Sequence, residues 1–250
     1  MSHRAEAASH EFDSGAYAGF QSRTTKVVLA GVFSALTILL GLFPSVGFIP
    51  VPTPAGSATT LHIPAILGGI LAGPVVGALV GLTFGLFSFL RSAIPMFKDP
   101  LVAILPRLFI GVVAWAVYAG AMRTSRQVMF LLTLLTTLVG AWFAWQVNAS
   151  RPPLGLVILA LVLVAGAALA YFVRRGSPMA VAVAIGAVVG SFTNTALVLG
   201  MATLLGYLPF EGVVLVATTH GVPEAIVAAV IASAVVGAVR GTGARERSRL

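Results

Sequence analysis

Long apolar stretches, separated by short polar or proline-rich segments, make up most of the chain after residue 26. An α-helix needs about 17–25 mostly apolar residues to cross a bilayer, and each stretch reaches that length. The stretches are residues 27–43, 62–90, 101–122, 128–147, 154–173, 178–205 and 223–239. This pattern predicts an all-α membrane protein with several crossings.

The stretch 62–90 does not fit a single crossing. As one helix it would be about 43 Å long, which exceeds a hydrocarbon core of about 30 Å but is too short for two full crossings. Gly73-Pro74 lies inside it and is a typical helix break. We therefore predict two short helices, 62–72 and 75–90, and eight crossings in total.

The segments between the spans are predicted to be irregular. Residues 44–54 contain four prolines, which lack the amide donor that a helix needs. Polar loops are expected at residues 91–99 and around Glu211.

Composition excludes a soluble domain. The chain is 58% hydrophobic and only 9% charged, whereas soluble domains are about 25% charged. Too few charges exist to cover a core of this size, so lipid must solvate most of the surface. The chain has no cysteine, which excludes disulfides and cysteine-bound metals.

Basic residues indicate the topology. Eleven of the fifteen Lys and Arg residues fall in four patches at the ends of apolar stretches: Arg4, Arg23 and Lys26; Arg123 and Arg126; Arg174 and Arg175; Arg240, Arg245, Arg247 and Arg249. Eight crossings place all four patches on one side, and the positive-inside rule makes that side cytoplasmic. Seven crossings would separate the first patch from the others. We therefore expect both termini to be cytoplasmic, and no nucleic-acid partner.

This topology divides the chain into three parts. Residues 1–25 are predicted to be a disordered cytoplasmic tail, and they do not resemble a signal peptide because they lack an apolar run. Residues 26–240 form a single transmembrane domain, and residues 241–250 form a basic cytoplasmic tail.

Few polar side chains lie inside the predicted spans, and such residues are candidates for function. They are His62, Arg107, the patch 191–195 with Asn194 and Thr195, and Glu224, which follows His220. In the predicted topology, His62, Arg107, His220 and Glu224 lie toward the outer face and Asn194 lies deeper. We predict that they line one outward-facing binding pocket between helices.

Each candidate also has a structural interpretation. His62 could be an interfacial helix-start residue, and Glu224 follows a proline at a helix start, where the helix dipole favours a carboxylate. Arg107 could extend to the membrane surface or pair with Glu224. Asn194 could join two helices by a hydrogen bond, and Ser191 and Thr193 could simply pack there.

Small residues recur at four-residue spacing. In the first span they are Ala30 with Ser34 and Gly31 with Ala35; in the second region they are Gly69, Gly73, Gly77, Gly81 and Gly85. This spacing lets helix backbones approach closely, and internal packing explains most such motifs.

Motifs of soluble enzymes are absent. The chain has no Walker-type glycine-rich motif and no His-Glu-x-x-His. We expect no catalytic residues, no cofactor and no metal. The few acids inside the spans also argue against a pump that works alone.

Three sequence motifs resemble one family. The run from Ala58 to Ser88, Gly190-Ser-Phe-Thr-Asn-Thr195 and Gly221-Val-Pro-Glu-Ala225 are similar to the second and third, the fifth and the sixth helices of S components. S components are the substrate-capturing subunits of energy-coupling factor (ECF) vitamin transporters. The resemblance covers residues 26–122 and 178–240.

The resemblance implies a six-helix fold that binds a vitamin near the outer face. It implies three partner chains, a transmembrane T subunit and two cytosolic ATPases. It also implies that small residues of the first helix contact the T subunit, either Ala30 and Ser34 or Gly31 and Ala35. Residues 128–173 depart from this pattern as an inserted transmembrane hairpin.

The resemblance also suggests a substrate. The His62-Ile-Pro64 sequence is similar to S components assigned to pantothenate, and Arg91, Lys98 and Arg107 would attract a carboxylate. Folate or a phosphate ester would fit those charges too. The alternatives to an S component are a stand-alone secondary transporter of a small solute and a membrane enzyme or scaffold.

Overall fold

The structure is a computed structural model that describes residues 22–50, 57–150 and 152–247. Its α-helices are α1 (Arg23–Leu42), α2 (Pro44–Gly47), α3 (Ile63–Ala72), α4 (Pro74–Arg91), α5 (Pro100–Ala103), α6 (Leu105–Met122), α7 (Arg126–Ser150), α8 (Leu154–Arg175), α9 (Pro178–Leu204), α10 (Phe210–Val216) and α11 (Val222–Arg247). A 3-10 helix covers Pro95–Lys98, and a π-helical turn covers Ala217–Gly221. Strands β1 (Phe48–Pro50) and β2 (Ser57–Thr59) form an antiparallel hairpin.

Six segments in the described part of the chain are long and apolar enough to cross a membrane. They are Arg23–Leu42, Pro74–Arg91, Pro100–Met122, Gly155–Arg175, Pro178–Leu204 and Gly212–Val239. Two shorter apolar helices, Ile63–Ala72 and Arg126–Trp142, occupy two of the other predicted spans. The prediction of an all-α, multi-pass membrane protein is confirmed, with the small β-hairpin as an addition.

The chain separates into two compact units. The first contains residues up to Tyr118 and from Val183 onward, and it holds every candidate site residue. The second is Ala119–Ala182 and consists mainly of α7 and α8, which pack against each other along their length. The predicted hairpin at residues 128–173 is therefore a pair of packed helices.

The predicted break at Gly73 is confirmed. Helix α3 ends at Ala72 and α4 begins at Pro74, with Gly73 between them at φ 98°. Glycine adopts this left-handed conformation without steric cost, and Pro74 fits the first position of the next helix because its missing amide needs no partner there.

All ten residues of α3 are buried. Ten residues extend about 15 Å, half the thickness of a hydrocarbon core. Such a helix exposes no side chain to lipid, so its neighbours α1, α4, α6 and α11 must enclose it. Polar groups attached to its first turn are thereby held inside the protein.

Glycines bring α3, α4 and α6 into backbone contact. A Cβ atom at Gly77 would lie 2.8 Å from the Cα of Gly111 and 2.9 Å from the Cα of Gly69. Further along α4, a Cβ at Gly81 would collide with the carbonyl of Arg107, and one at Gly85 would lie 2.8 Å from the Cα of Ile104. The glycine spacing in α4 therefore serves internal packing.

Several segments differ from the predictions. The segment around Glu211 is α10 rather than a loop, because it continues through the π-turn into α11. The last helix extends to Arg247, into the predicted basic tail. The predicted span 101–122 is divided at Ile104 into α5 and α6, and Pro106 is accommodated in the first turn of α6.

Some predictions lie outside the described residues. These are the tail at residues 1–21, the proline-rich residues 51–56, Arg151 and residues 248–250.

We predict that Gly77→Ala destabilises the protein by about 1–3 kcal/mol, because the added methyl group overlaps the backbones of α3 and α6. Thermal unfolding of the detergent-purified protein should show a lower midpoint. Gly200→Ala is the matched control, since a Cβ at Gly200 meets no atom within 4 Å. Alanine favours helix by up to about 1 kcal/mol, so this control should be neutral or stabilising. Equal midpoints for the two variants would contradict the proposed packing.

Candidate functional site

A hydrogen bond joins the β-hairpin to the last helix. The backbone amide of Thr59 in β2 donates to Oε1 of Glu224 at 2.5 Å. Thr59 is further fixed because its Oγ1 accepts from the amide of Leu61 at 3.1 Å. Glu224 is 8% exposed and lies in the first turn of α11. The hairpin is thus attached to α11 through a buried carboxylate.

His62 connects α3 to α9. Its ring is fully buried, and Nε2 lies 3.2 Å from Oγ of Ser191. Nδ1 is buried and makes no hydrogen bond of standard geometry among the described contacts, although the backbones of Thr59 and Glu224 lie close to the ring. His62 immediately precedes α3, as the helix-start interpretation requires, and its ring is enclosed by protein.

The polar patch of α9 lies next to the π-turn. A Cβ atom at Gly221 would lie 3.1 Å from Cγ2 of Thr195, so this glycine permits α9 and the turn to pack closely. Asn194 is 6% exposed, and its Oδ1 has no hydrogen-bond partner. Asn194 thus provides an unused acceptor inside the helix bundle, and its carbonyl oxygen does not join two helices.

The π-turn positions His220. Pro223 cannot donate a helical hydrogen bond, and the hydroxyls of Thr218 and Thr219 bond back to carbonyls of the preceding turn. Both effects weaken the regular α-helical ladder at this point. His220 is buried, with Nδ1 at 3.0 Å from Oγ1 of Thr219. Such π-turns often occur at functional sites.

Arg107 is a buried cation between two aromatic rings. Its guanidinium carbon lies 5.2 Å from the ring centroid of Phe84 and 5.1 Å from that of Phe97, within the range of cation–π attraction. Nη1 donates to the carbonyl of Val102, and Nε has no partner. With 4% of its surface exposed, Arg107 does not extend to the membrane surface.

Arg107 and Glu224 attract each other without direct contact. Among the described contacts they form no ion pair, although their opposite charges interact at longer range. A structural bridge between them would need a direct contact to repay the desolvation of both charges. Both groups therefore keep hydrogen-bonding capacity for another partner.

A small cavity adjoins this cluster. Residues Ala58, Thr59, Thr60, His62, Pro223, Glu224 and Val227 line it. Its volume is about 30 Å³, close to the volume of one water molecule in the liquid. Binding sites for small molecules have volumes of about 300–1,000 Å³. The site is therefore closed in this conformation, and a solute can enter only if the β-hairpin or the π-turn moves.

The two pairs of small residues in α1 differ in their surroundings. Ala30 and Ser34 are half-buried, and Oγ of Ser34 accepts a hydrogen bond from Thr83 of α4 at 3.1 Å. Gly31 and Ala35 are exposed, and nothing lies within 4 Å of a Cβ at Gly31. The first pair is used for packing inside the protein, and the second forms an open strip.

Sequence reasoning missed several participants. Thr59 contributes its backbone amide, which no side-chain pattern could indicate. Ser191, for which simple packing is one interpretation, contacts His62. Phe84 and Phe97 flank Arg107. The sequence shows that these two residues are aromatic and so could stack on a cation, but their spacing does not link them to Arg107.

The fold and this cluster define a class of protein. It is a multi-pass membrane protein in which α6, α9, α11 and the residue preceding α3 contribute buried polar side chains to the helix bundle. Comparison with known families agrees. Residues 25–150, half of the chain, match the family described as ECF transporter, substrate-specific component.

The chain therefore belongs to the family of substrate-specific components of ECF transporters. Such proteins are the substrate-capturing transporter subunits, not enzymes. The matched range includes His62 and Arg107 and runs through α7, and it ends before α9 and α11. The comparison with curated proteins found no match.

We predict that Glu224→Ala loosens the β-hairpin. Because the chain has no cysteine, Ala58→Cys introduces a single thiol at a position that is 4% exposed. Loss of a hydrogen bond to a charged group should raise the rate at which a water-soluble maleimide modifies this thiol by about tenfold or more.

Asp99→Ala is the matched control for this experiment. Asp99 also accepts a backbone amide hydrogen bond, from Leu101, but lies outside the cavity lining. The modification rate of the introduced thiol should stay unchanged in this variant. An equal rate in the Glu224 and Asp99 variants would show that Glu224 does not hold the hairpin.

Proposed function

We propose that this chain captures a small, anionic, water-soluble vitamin, with pantothenate as the best candidate, for import by an ECF transporter. The observation that carries this proposal is the buried, incompletely bonded Arg107 in a closed polar cluster of a protein from this family. A transmembrane T subunit and two cytosolic ATPases supply the energy, consistent with the absence of a Walker motif in the chain.

The chemistry of the cluster favours a carboxylate. Burial of an arginine is costly unless an anion or several acceptors compensate it. Arg107 has one carbonyl acceptor and two aromatic faces, and its Nε is unused. A carboxylate could accept two parallel hydrogen bonds from a guanidinium, which is the strongest pairing open to it.

The remaining groups suit a solute with hydroxyl and amide groups. Oδ1 of Asn194 is buried without a partner, and Nδ1 of His62 makes no hydrogen bond of standard geometry; buried groups of this kind ordinarily bond to a ligand or to water. Thr195, His220 and Glu224 add further donors and acceptors nearby. Pantothenate carries one carboxylate, two hydroxyls and one amide, which matches this mixture of groups.

The proposed topology has eight crossings, with both termini in the cytoplasm and the site near the outer face. The positive-inside distribution of arginines supports it. Within the second unit, Arg126 and Arg174 lie at the same end of the hairpin, as this topology requires. The α7–α8 hairpin enters and leaves on one side, so it would preserve a six-helix core.

The exposed strip of α1 is the proposed docking surface for the T subunit. Gly31 and Ala35 are exposed, whereas Ser34 is bonded to α4. Without a hydrophobic driving force in lipid, small residues favour helix association by allowing close approach. We choose Gly31 and Ala35 over Ala30 and Ser34 because the first two residues are exposed and the other two are half-buried.

We predict that Arg107→Gln weakens pantothenate binding by about 100-fold or more, because it removes charge-assisted hydrogen bonds to the carboxylate. Isothermal titration calorimetry on the purified chain measures this. Arg91→Gln, which removes an exposed arginine at the end of α4, should change affinity far less.

The analogue of pantothenate with an alcohol in place of the carboxylate gives a second comparison. The wild-type chain should bind this alcohol weakly, and Arg107→Gln should not reduce its affinity for the alcohol further. Unchanged pantothenate affinity together with a lower unfolding temperature would instead assign Arg107 a structural role. Absence of binding to a broad vitamin panel by the wild-type chain would contradict the proposed function itself.

We predict that Ala35→Trp leaves vitamin affinity unchanged but abolishes ATP-dependent uptake when the partner subunits are co-expressed, because the indole prevents close helix approach. Leu36→Trp is the control and should retain uptake, since Leu36 is also exposed but lies about 100° around α1 from Ala35. Normal uptake by Ala35→Trp would exclude this strip as the docking surface.

A further inference from the structure

One end of the α7–α8 hairpin is held together by an arginine. Nη1 of Arg126 donates to the carbonyl of Arg174 at 2.5 Å, and Nη2 donates to that of Gly176 at 3.0 Å. These carbonyls lie at the C-terminus of α8, where a cation also offsets the helix dipole. Arg126 therefore fixes the start of α7 against the end of α8.

A second arginine is immobilised beside it. The guanidinium carbon of Arg174 lies 4.1 Å from the ring centroid of Phe130 in α7. Arg123 precedes Arg126 by three residues, and Arg175 directly follows Arg174. Both are exposed, and their side chains make no hydrogen bond or ion pair among the described contacts. Four arginines thus gather at one end of this unit, two of them held by the fold.

No acidic residue balances this charge locally. The unit Ala119–Ala182 contains five arginines and neither Asp nor Glu. The fifth, Arg151, belongs to the connection between the helices and lies outside the described residues. The positive-inside rule accounts for arginines on this side, but it does not require that Arg174 stack on Phe130 or that Arg126 bridge two helices.

Exposed apolar side chains lie within about one and a half helical turns of the arginines along α7 and α8. Leu131 is 61% exposed and follows Arg126 by five residues, and Tyr171 is 68% exposed and precedes Arg175 by four. These offsets correspond to about 6–8 Å along the helix axes. A cationic end thus adjoins an apolar flank, and a phospholipid presents the complementary pair of a phosphate and acyl chains.

We propose that this end of the hairpin, formed by Arg123, Arg126, Arg174 and Arg175, binds the headgroup of an anionic phospholipid whose acyl chains lie along the exposed flanks of α7 and α8. Basic clusters between helices at the cytoplasmic surface are suited to such headgroups. The site is independent of the vitamin pocket, so it stands whether or not the chain binds pantothenate.

Native mass spectrometry of the detergent-purified chain tests this proposal. Phosphatidylglycerol and phosphatidylcholine with identical acyl chains are titrated separately. Wild type should retain phosphatidylglycerol about tenfold more strongly, since each basic residue contributes severalfold. The double variant Arg123→Gln/Arg175→Gln should lose this preference, and Arg123→Lys/Arg175→Lys should largely keep it.

The matched control is Arg23→Gln/Arg91→Gln, which removes the same charge from exposed arginines outside the hairpin. It should retain the preference for phosphatidylglycerol. Equal loss in both double variants would show general electrostatic attraction and overturn the site. Competition by millimolar glycerol phosphate as effective as that by the intact lipid would also overturn it, because the acyl chains would then contribute nothing.

Discussion

Close packing of three helix backbones through glycine is the constraint on which the rest of the first unit depends. In lipid, helices gain little from hydrophobic burial, so they associate through van der Waals contact and hydrogen bonds. Gly69 of α3, Gly77 of α4 and Gly111 of α6 meet where even one methyl group would overlap a backbone. Helix α3 is only about half as long as the hydrocarbon core is thick, and this contact encloses it. A buried, fully apolar short helix can exist here only because its neighbours approach so closely.

The same packing sets the position of the polar site. Gly81 lies against the carbonyl of Arg107, so the close approach of α4 and α6 fixes the backbone position from which the Arg107 side chain extends. His62 immediately precedes α3, and the position of that helix brings its ring to Ser191 of α9. Buried polar groups with unused capacity cost stability. Tight apolar and glycine contacts elsewhere in the unit offset that cost.

The helices could be predicted well from the sequence, and the site in part. Gly73-Pro74, the spacing of glycines in α4 and the scarcity of polar residues each have a local physical cause, so a structure is not needed to interpret them. The bond from Thr59 to Glu224 joins residues 165 positions apart and uses a backbone amide, so no composition rule reveals it. The π-turn depends on Pro223 and two threonines acting together. The choice between Gly31 with Ala35 and Ala30 with Ser34 required knowing which side of α1 contacts α4.

Two hydrogen bonds connect candidate site residues within the family-matched range, 25–150, to candidate site residues that follow this range. His62 to Ser191 and Thr59 to Glu224 each join the region before residue 150 to the region after it. Thr59, His62 and Glu224 line a cavity with about the volume of one water molecule, so the proposed capture of a solute there would break at least part of this arrangement. If only a small fraction of the protein is in the open form, its apparent affinity for the solute is reduced by that fraction. Under the proposed function, the buried polar atoms of Arg107, His62 and Asn194 would provide the compensation, because a bound solute would form hydrogen bonds with them. The proposed function thus implies that affinity depends on two opposing contributions, the loss of the bond between Glu224 and the hairpin and the gain of new bonds to buried polar atoms.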